Sequence, residues 1–391
     1  MNRTEIILHI SLLIVLYTFF GYGILLFLLI LIKRLFKPAD NQSAEDFEPA
    51  LTLVIPCFNE AAILGKKIDN CLALEYPAQK RTILFITDGS TDHSAELLAK
   101  YPDIHVLHED RRAGKAAAEN KAMQFVQTPI VIFSDANAML NTDAIRQIVK
   151  HFANERTGCV SGEKRILTDH SDSASTAGEG MYWQYESQLK KLDSEFNSAV
   201  GAAGELIAFR TALYDPLPED TLVDDFMQSM QIAAKGYRIV YEPRAFAVET
   251  ASLSVAEELK RKIRISAGNW QAIKRLSGKL LITKTPLLFF QYLSHKVLRW
   301  AVAPFLLILI FFLSIPLALS GDSIYEGLFY AQLGFYIIAM LGYIFQNRRI
   351  RFTALFIPYY FCVMNYASIA GLVKYLSGNQ TANWEKAKRK L

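Results

Sequence analysis

The sequence predicts an α/β domain with a mostly parallel sheet, accompanied by about one N-terminal and three C-terminal transmembrane helices. Long uncharged runs stand near both ends of the chain, and short β-rich runs alternate with helical patterns between them. The chain is 52% hydrophobic over 391 residues, and this apolar excess is concentrated in the terminal runs. The central part carries most of the charge and is long enough for one large domain with a full core.

The N-terminal run, Ile6–Ile32, contains no charged residue. It is longer than the roughly 20 residues that are needed to cross a bilayer. It also lacks the small-residue cleavage site of a signal peptide. Residues 1–36 are therefore predicted to be an uncleaved membrane anchor.

Three later uncharged runs predict a C-terminal transmembrane region over residues 300–376, followed by a charged tail over 377–391. Two interpretations of the last run stay open, because Pro358 and Asn365 fit a re-entrant or interfacial segment as well as a full crossing. The three runs are Ala301–Leu319, Gly327–Phe345 and Phe352–Val373.

Basic residues flank the apolar runs on the side of the central domain. The positive-inside rule therefore places residues 37–285 in the cytoplasm, within a multi-pass protein of the inner or plasma membrane. Residues 286–299 mix large apolar and basic side chains, which fits either an interfacial helix or a simple extension of the next span. The flanking basic residues are Lys33, Arg34 and Lys37 after the first run, and His295, Lys296 and Arg299 before the second.

Composition and motifs exclude several classes of protein. A net charge of only +4 gives no broad basic field for nucleic acid. The four cysteines show no CxxC spacing, which argues against zinc ribbons and disulfide frameworks and fits a reducing compartment. There is no GxGxxG after the first strand-like run and no GxxxxGK(S/T), so neither a dehydrogenase nor a P-loop enzyme is indicated.

The alternation of strands and helices predicts βαβ units on a parallel sheet. Ligands bind such sheets beyond the carboxyl ends of the strands. The strand-like runs are "LTLVIP", "TILFIT", "IHVLHE", "IVIFSD", "ELIAFR" and "YRIVYEP", and helical spacing occurs in Ala61–Ala73, Asp92–Lys100 and Lys115–Gln127.

Carboxylate or amide residues follow three of these runs, in "PCFNE", "DGSTD" and "SDANA". Each alone could be ordinary turn chemistry, but the three together predict a ligand site. A nucleotide site built from carboxylates needs a divalent cation between the acids and the diphosphate, and Mg²⁺ and Mn²⁺ prefer oxygen ligands. Asp135 and Asn137, two residues apart after a buried run, are the candidate metal ligands.

As a set, the motifs resemble the family 2 glycosyltransferases, which have the GT-A fold of nucleotide-diphospho-sugar transferases. The resemblance covers roughly Leu51 to Trp270. With the flanking apolar runs, the chain is most similar to the branch that includes cellulose, hyaluronan and poly-N-acetylglucosamine synthases. The motifs that carry it are "PCFNE", "DGSTD", "RRAGKAAAENKA", "SDANA", "MYWQYES", "GAAGELIAFR", "LVDDFM" and "KRKIRISAGNW".

The resemblance implies a binding site for a UDP-sugar donor. Its acids would accept hydrogen bonds from the base or the ribose. Lys115 would offset the diphosphate charge, although a solvated lysine at a helix start fits equally well. Asp135 would hold the cation with Asn137 as a weaker ligand, where the family often has a second aspartate. The implied donor-binding residues are Pro56, Glu60, Asp88, Lys115, Asp135 and Asn137.

Asp225, in "VDDFM", matches the catalytic base of the family. In an inverting transfer the acceptor hydroxyl attacks the anomeric carbon opposite the departing nucleoside diphosphate, and a carboxylate takes its proton. The apolar-periodic run that follows Asp225 predicts a helix start, where the helix dipole favours an ionised acid. Asp224 is its neighbour, and one of the two could instead be the N-cap.

The same resemblance places Trp183 and Glu205 near the acceptor, although the aromatic residues of "MYWQYES" fit the core or the membrane at least as well. Arg261 and Arg264 would contact the diphosphate. The polymer synthases carry Gln-x-x-Arg-Trp in this region, whereas this chain has Arg261 and Ile265 at the outer positions. Processive polymerisation is therefore not implied, and the basic stretch could instead lie near anionic lipid headgroups.

Three functions are consistent with these observations. The first is a membrane-anchored inverting glycosyltransferase that moves a sugar from a UDP-sugar to a growing polysaccharide or a lipid-linked oligosaccharide, in synthesis of the cell envelope or of exopolysaccharide. The second transfers one sugar to polyprenyl phosphate, an acceptor that is already ionised and needs no base. The third is a non-catalytic subunit that binds nucleotide-sugar in an export complex. Membrane lipids and export or polymerisation proteins are the expected partners, and nucleic acid is not.

Overall fold

The chain combines one eight-stranded sheet with a set of long apolar helices. The computed structural model describes residues 2–36, 46–167, 174–250, 255–281, 285–345 and 353–378. Residues 379–391, which make up most of the predicted charged tail, lie outside the described residues, as does Lys37.

The sheet is mixed and mostly parallel, in the order β3-β2-β1-β4-β7-β6-β8-β5. Parallel pairs join β1 to β2, β1 to β4, β2 to β3 and β6 to β8. The pairs that β7 makes with β4 and β6 are antiparallel, and so is the pair of β5 with β8. The strands are β1 Leu51–Cys57, β2 Arg81–Asp88, β3 His105–Glu109, β4 Ile130–Phe133, β5 Met139–Leu140, β6 Thr157–Leu167, β7 Ile207–Arg210 and β8 Arg238–Thr250.

The central strands are buried on both faces, as expected of parallel strands that are covered by helices. Every residue of β1 and β4 is buried. Neighbours along β1 face opposite sides of the sheet, so Val54 belongs to one hydrophobic cluster and Leu53 and Ile55 belong to the other. The core therefore consists of two apolar layers with the sheet between them.

The helices around the sheet begin close to the strand ends that the sequence singles out. β6 and the short β5 have no counterpart among the predicted strands, because β6 mixes glycine, cysteine and charged residues and gives no clean alternation. The helices are α3 Ala61–Leu72, α4 Ser94–Leu98, α5 Lys115–Met123, α6 Ala144–Val149, α7 Ala174–Phe196, α8 Asp224–Ala234 and α9 Val255–Leu281.

Four helical segments are long and apolar enough to cross a membrane, one near the N-terminus and three near the C-terminus of the described chain. This confirms the predicted α/β class with one N-terminal and three C-terminal apolar helices. They comprise α1 Arg3–Leu16, a π-helical turn Tyr17–Gly21 and α2 Tyr22–Phe36; α10 Pro286–Tyr292, a π-helical segment Leu293–Val302 and α11 Ala303–Ala318; α12 Ser323–Phe345; and α13 Thr353–Leu376.

Buried ion pairs join the apolar helices to the α/β domain through α7. Glu186 pairs with Lys296 and Arg299. Asp193 accepts a hydrogen bond from Gln291 Nε2 at 2.9 Å, and its other oxygen lies 2.5 Å from His295 Nδ1. The basic side chains within residues 286–299 are therefore buried against α7.

Candidate active site

The loops after β1 and β2 are joined by side-chain hydrogen bonds. Asn59 adopts the left-handed region at φ 54°, where asparagine is among the better tolerated residues. Its Oδ1 accepts from the Thr91 N–H at 2.7 Å, and Asp92 Oδ2 accepts from the Ala61 N–H at 3.0 Å. "PCFNE" and "DGSTD" thus form one surface at the carboxyl edge of the sheet.

Asp88 fixes the start of α5. It is 2% exposed, and its two oxygens accept from the Ala113 and Gly114 N–H groups at 2.7 and 2.8 Å. The turn after it requires glycine, because Gly89 has φ +65° and a Cβ there would lie 2.5 Å from Arg112 N. Asp88 therefore positions the loop that leads into Lys115.

Lys115 lies among carboxylates from three parts of the chain. Its Nζ is 2.7 Å from Asp135 Oδ1, 3.4 Å from Asp224 Oδ2 and 3.8 Å from Glu119 Oε1. Burial opposes its charge, but these carboxylates outweigh burial and raise the pKa of Lys115 well above its usual value. Lys115 therefore stays a cation throughout the physiological range.

Asp135 also belongs to a cluster of acids. Ligand oxygens of Asp135, Glu205 and Glu249 all lie within 4.8 Å of one another. Lys164 pairs with Glu205 and, at 2.6 Å, with Glu249. Burial raises the pKa of Asp135, although Lys115 acts against this. The oxygen donors suit a hard divalent cation, and Lys164 offsets part of their negative charge.

Lys67 stabilises the "SDANA" loop through two hydrogen bonds. This lysine is fully buried, and its Nζ donates to Ser134 Oγ at 2.8 Å and to the Ala138 carbonyl at 2.5 Å. Burial lowers the pKa of Lys67. The two hydrogen bonds span the loop on either side of Asp135, so they fix where that carboxylate points.

Asp225 lies at the beginning of α8, one residue after Asp224. Its Oδ2 accepts from the Gly204 N–H at 2.8 Å, and its Oδ1 accepts from the Phe226 N–H at 2.8 Å. Val223 occupies the N-cap position, so both acids fall within the first helical turn. Burial, followed by the charge of Asp224, raises the pKa of Asp225 to about 6.

A cavity of about 1910 Å³ joins these groups to the apolar helices. Trp183 lies in its wall, with Lys164 Nζ 5.2 Å and Lys262 Nζ 5.4 Å from its ring centroid. Arg261 lies in the same wall and holds Glu258 through two hydrogen bonds of 2.9 and 3.0 Å. Burial lowers the pKa of Arg264, with Asp224 and Asp225 acting in the opposite direction.

The cavity brings together nearly all of the residues that the sequence singled out. In the part of the chain that the structure describes, Asp88 is the one that does not line it, because it points into the loop before α5. The residues that line the cavity are Pro56, Glu60, Lys115, Asp135, Asn137, Trp183, Glu205, Asp224, Asp225, Arg261 and Arg264.

Sequence reasoning missed three charged residues of the site. Glu249 lies near the end of β8, beyond the predicted strand "YRIVYEP", and the alternation in "RAFAVET" is the signal that could have extended that strand. Lys67 shares a helix face with the buried Leu64, Ile68 and Cys71, so its spacing indicated burial. Lys164 lies in β6, which was itself not predicted.

A mostly parallel sheet with carboxylates after its strand ends is consistent with the GT-A fold. Residues 52–216 match the model of Glycosyl transferase family 2, so the chain contains a domain of that family, as its motifs predicted. A solved mannosyltransferase from Pyrobaculum calidifontis, in complex with GDP-Man and Mn²⁺, superposes with a TM-score of 0.73 at 22% identity. The likeness is one of fold, and it covers 96% of this chain and 100% of that one.

The curated relatives include enzymes named poly-beta-1,6-N-acetyl-D-glucosamine synthase. The one from Staphylococcus aureus (strain COL) is 27% identical over 236 residues, which are 58% of this chain and 56% of that protein. The one from Staphylococcus epidermidis is 25% identical over 262 residues, 64% of this chain and 61% of that protein. The chain thus spans less than two thirds of the length of these relatives.

Proposed function

We propose that the protein is a membrane-anchored, inverting glycosyltransferase that moves a sugar from a UDP-sugar to a growing polysaccharide or a lipid-linked oligosaccharide. One observation carries the proposal: Asp225 lies in the same cavity as the Lys115–Asp135 pair. A base and a charged site for a diphosphate are the two things that such a transfer needs close together.

Asp225 is suited to act as the base. Its pKa of about 6 leaves it ionised at neutral pH while making it a stronger base than an exposed aspartate. The hydrogen bond from Gly204 fixes one carboxylate oxygen and thereby sets the orientation of the group. The acceptor hydroxyl gives its proton to Asp225 as its oxygen bonds to the anomeric carbon. The bond from that carbon to the diphosphate breaks on the opposite face.

The leaving diphosphate gains charge, and cations of the cavity offset it. Lys115 and Arg264 both line the cavity, and Arg264 has no ion pair within the described ranges. A guanidinium can donate two parallel hydrogen bonds to a phosphate group. Arg264 is therefore proposed as a diphosphate contact. Arg261, by contrast, donates hydrogen bonds to Glu258.

The proposal includes a divalent cation, Mg²⁺ or Mn²⁺. Asp135 would hold it, with Asn137, Glu205 and Glu249 as the neighbouring oxygen donors. When bound, such an ion neutralises diphosphate charge next to the acids. The GDP-Man and Mn²⁺ of the mannosyltransferase of similar fold support this class of ligand.

The four apolar helices support a place in the inner or plasma membrane, with the α/β domain in the cytoplasm where nucleotide-sugars are made. The relatives named as poly-N-acetylglucosamine synthases support a role in making an envelope or extracellular polysaccharide. The departure at Arg261 and Ile265 favours limited addition over long processive synthesis.

The test is nucleoside diphosphate release from a panel of UDP-sugars and GDP-mannose, using the full chain in membranes with Mn²⁺. Loss of a general base is expected to slow the reaction roughly 10² to 10⁴-fold in Asp225→Asn. Asp135→Ala is expected to lose donor turnover as well. Asp103→Asn, an exposed acid outside the cavity, is the matched control. Equal turnover in all four proteins would discard the assignment, and mass spectrometry of the product identifies the sugar.

Transfer to polyprenyl phosphate is the second candidate function, and the apolar helices that border the cavity favour it. A phosphate acceptor is already ionised, so it needs no base. Activity in Asp225→Asn with polyprenyl phosphate as the acceptor would therefore select this function over the first.

A further inference from the structure

Lys190 is a buried cation that the donor site does not use. It lies in α7, is 6% exposed and lines the cavity. Its Nζ is 5.9 Å from the centroid of the Trp183 ring. Across the residues that the structure describes, it makes no hydrogen bond or ion pair with another side chain. A buried ammonium without a counter-ion is costly, so this position is suited to receive an anion.

The charge around Lys190 is positive. Lys296 and Arg299 line the same cavity, and both pair with one carboxylate, Glu186, which lies one helical turn from Lys190. Lys190, Lys296 and Arg299 therefore bring three positive charges to the lining, and Glu186 is the carboxylate that pairs with two of them. An incoming anion meets attraction here, whereas the acids around Asp135 repel it.

The wall next to this region is apolar and belongs to the apolar helices. Phe361 and Met364 of α13 line the cavity, and so does Phe19 in the first helical segment. The Phe19 and Phe361 rings contact each other at 5.0 Å between centroids. Ile357 of the same helix also lines the cavity and is 50% exposed.

We propose that Lys190 and Trp183 form a subsite for the phosphate or diphosphate of a lipid-linked acceptor, with its hydrocarbon chain against Phe361 and Met364. This inference rests on the proposed function, because it chooses the lipid-linked acceptor among those named there. A neutral polysaccharide offers no charge to a buried ammonium, and a free anion makes no use of the apolar wall.

The subsite is close to the reacting groups. Lys164 Nζ and Lys190 Nζ lie 5.2 and 5.9 Å from the centroid of the Trp183 ring, and Lys164 in turn pairs with Glu205 beside Asp135. An acceptor whose phosphate lies at Lys190 therefore keeps its sugar end on the side of the cavity that holds the proposed donor site. Binding the phosphate then serves to position the attacking hydroxyl.

The test measures the binding of farnesyl diphosphate to the full chain in detergent micelles, with UDP and Mn²⁺ present to fill the donor site. Lys190→Met should weaken binding at least about tenfold, the size of one charge-assisted hydrogen bond. Lys190→Arg should keep affinity within about threefold because it keeps the charge. Lys191→Met, an exposed neighbour on the same helix, is the matched control and should bind as wild type does.

Two further probes separate the sources of the affinity. Farnesol, which lacks the charge, and inorganic pyrophosphate, which lacks the chain, should each bind at least about tenfold more weakly than farnesyl diphosphate. Equal affinity of Lys190→Met and wild type would overturn the subsite, as would pyrophosphate binding as tightly as farnesyl diphosphate. Failure of the proposed function is visible separately, as absent UDP-sugar turnover by the wild type.

Discussion

Lys115 Nζ lies 2.7 Å from Asp135 Oδ1, which pairs the first residue of α5 with the carboxylate that follows β4. Two neighbouring strand–helix units therefore bring opposite charges to one point of the cavity. The side chains remain 18% and 30% exposed, so a ligand can reach both. An ammonium is suited to a diphosphate, and a carboxylate is suited to a divalent cation, so this pair holds both halves of the proposed donor site in place.

Lys115→Met should lower nucleoside diphosphate release by about 10 to 100-fold, because the donor loses a charge-assisted hydrogen bond. The loss should fall mainly on the KM for the donor. Lys121→Met is the control, since Lys121 is on the same helix, is 43% exposed and pairs with Glu109 outside the cavity. An unchanged donor KM in Lys115→Met would contradict a role for this lysine in binding the diphosphate.

The rate should depend on pH through Asp225. A base must be ionised, so turnover at saturating donor should rise as pH increases towards about 6, the pKa of Asp225, and level off above it. Asp224→Asn removes the negative charge that, after burial, contributes most to raising this pKa. The acid limb of the pH–rate profile should therefore move to lower pH in Asp224→Asn. A limb that stays in place or moves upwards would show that another group sets the profile.

Removing divalent cations with a chelator should abolish turnover, and Mn²⁺ or Mg²⁺ should restore it. Asn137→Asp adds a carboxylate to the lining beside Asp135. Since carboxylates bind hard cations more strongly than amides do, the Mn²⁺ concentration for half-maximal rate should fall several-fold. Titration of the rate with Mn²⁺ measures this. A higher Mn²⁺ requirement would place the ion away from Asn137.

Three central strands could be predicted from their nearly uniform burial. β1, β2 and β4 are nearly continuous apolar runs. Their length and their polar ends could therefore be predicted without knowing which strands they pair with. β6 pairs with β7 on one side and β8 on the other, and its mixed composition is acceptable only in that setting. Tertiary context therefore decides its state, and local pattern does not.

The site was predictable where chemistry follows directly from a strand end. Asp135 stands at such a place, Asp225 stands at a predicted helix start, and the structure brings both to one cavity. Asp88 also follows a strand, but backbone N–H groups of the next loop occupy its oxygens. Sequence alone cannot tell an acid that contacts a ligand from one that fixes a loop, because both occur in the same turns. Lys190 could not be found at all, since its importance comes from lacking a partner in space.

Lys67 offers the clearest test of positioning without contact to substrate. Its Nζ holds Ser134 Oγ and the Ala138 carbonyl, and it does not line the cavity in the described chain. Lys67→Met fills a similar volume but leaves the Ala138 carbonyl without this donor, so the loop that carries Asp135 should lose its fixed orientation. The Mn²⁺ concentration for half-maximal rate should rise several-fold, with a smaller change in the KM for acceptor.

Two variants serve as controls for Lys67→Met. Lys67→Gln keeps an N–H donor and should recover part of the Mn²⁺ affinity. Lys66→Met changes a neighbour that lines the cavity without holding this loop, so it should not reproduce the defect. If Lys67→Met lowered only the midpoint of thermal unfolding and left the Mn²⁺ titration unchanged, its role would be stability alone.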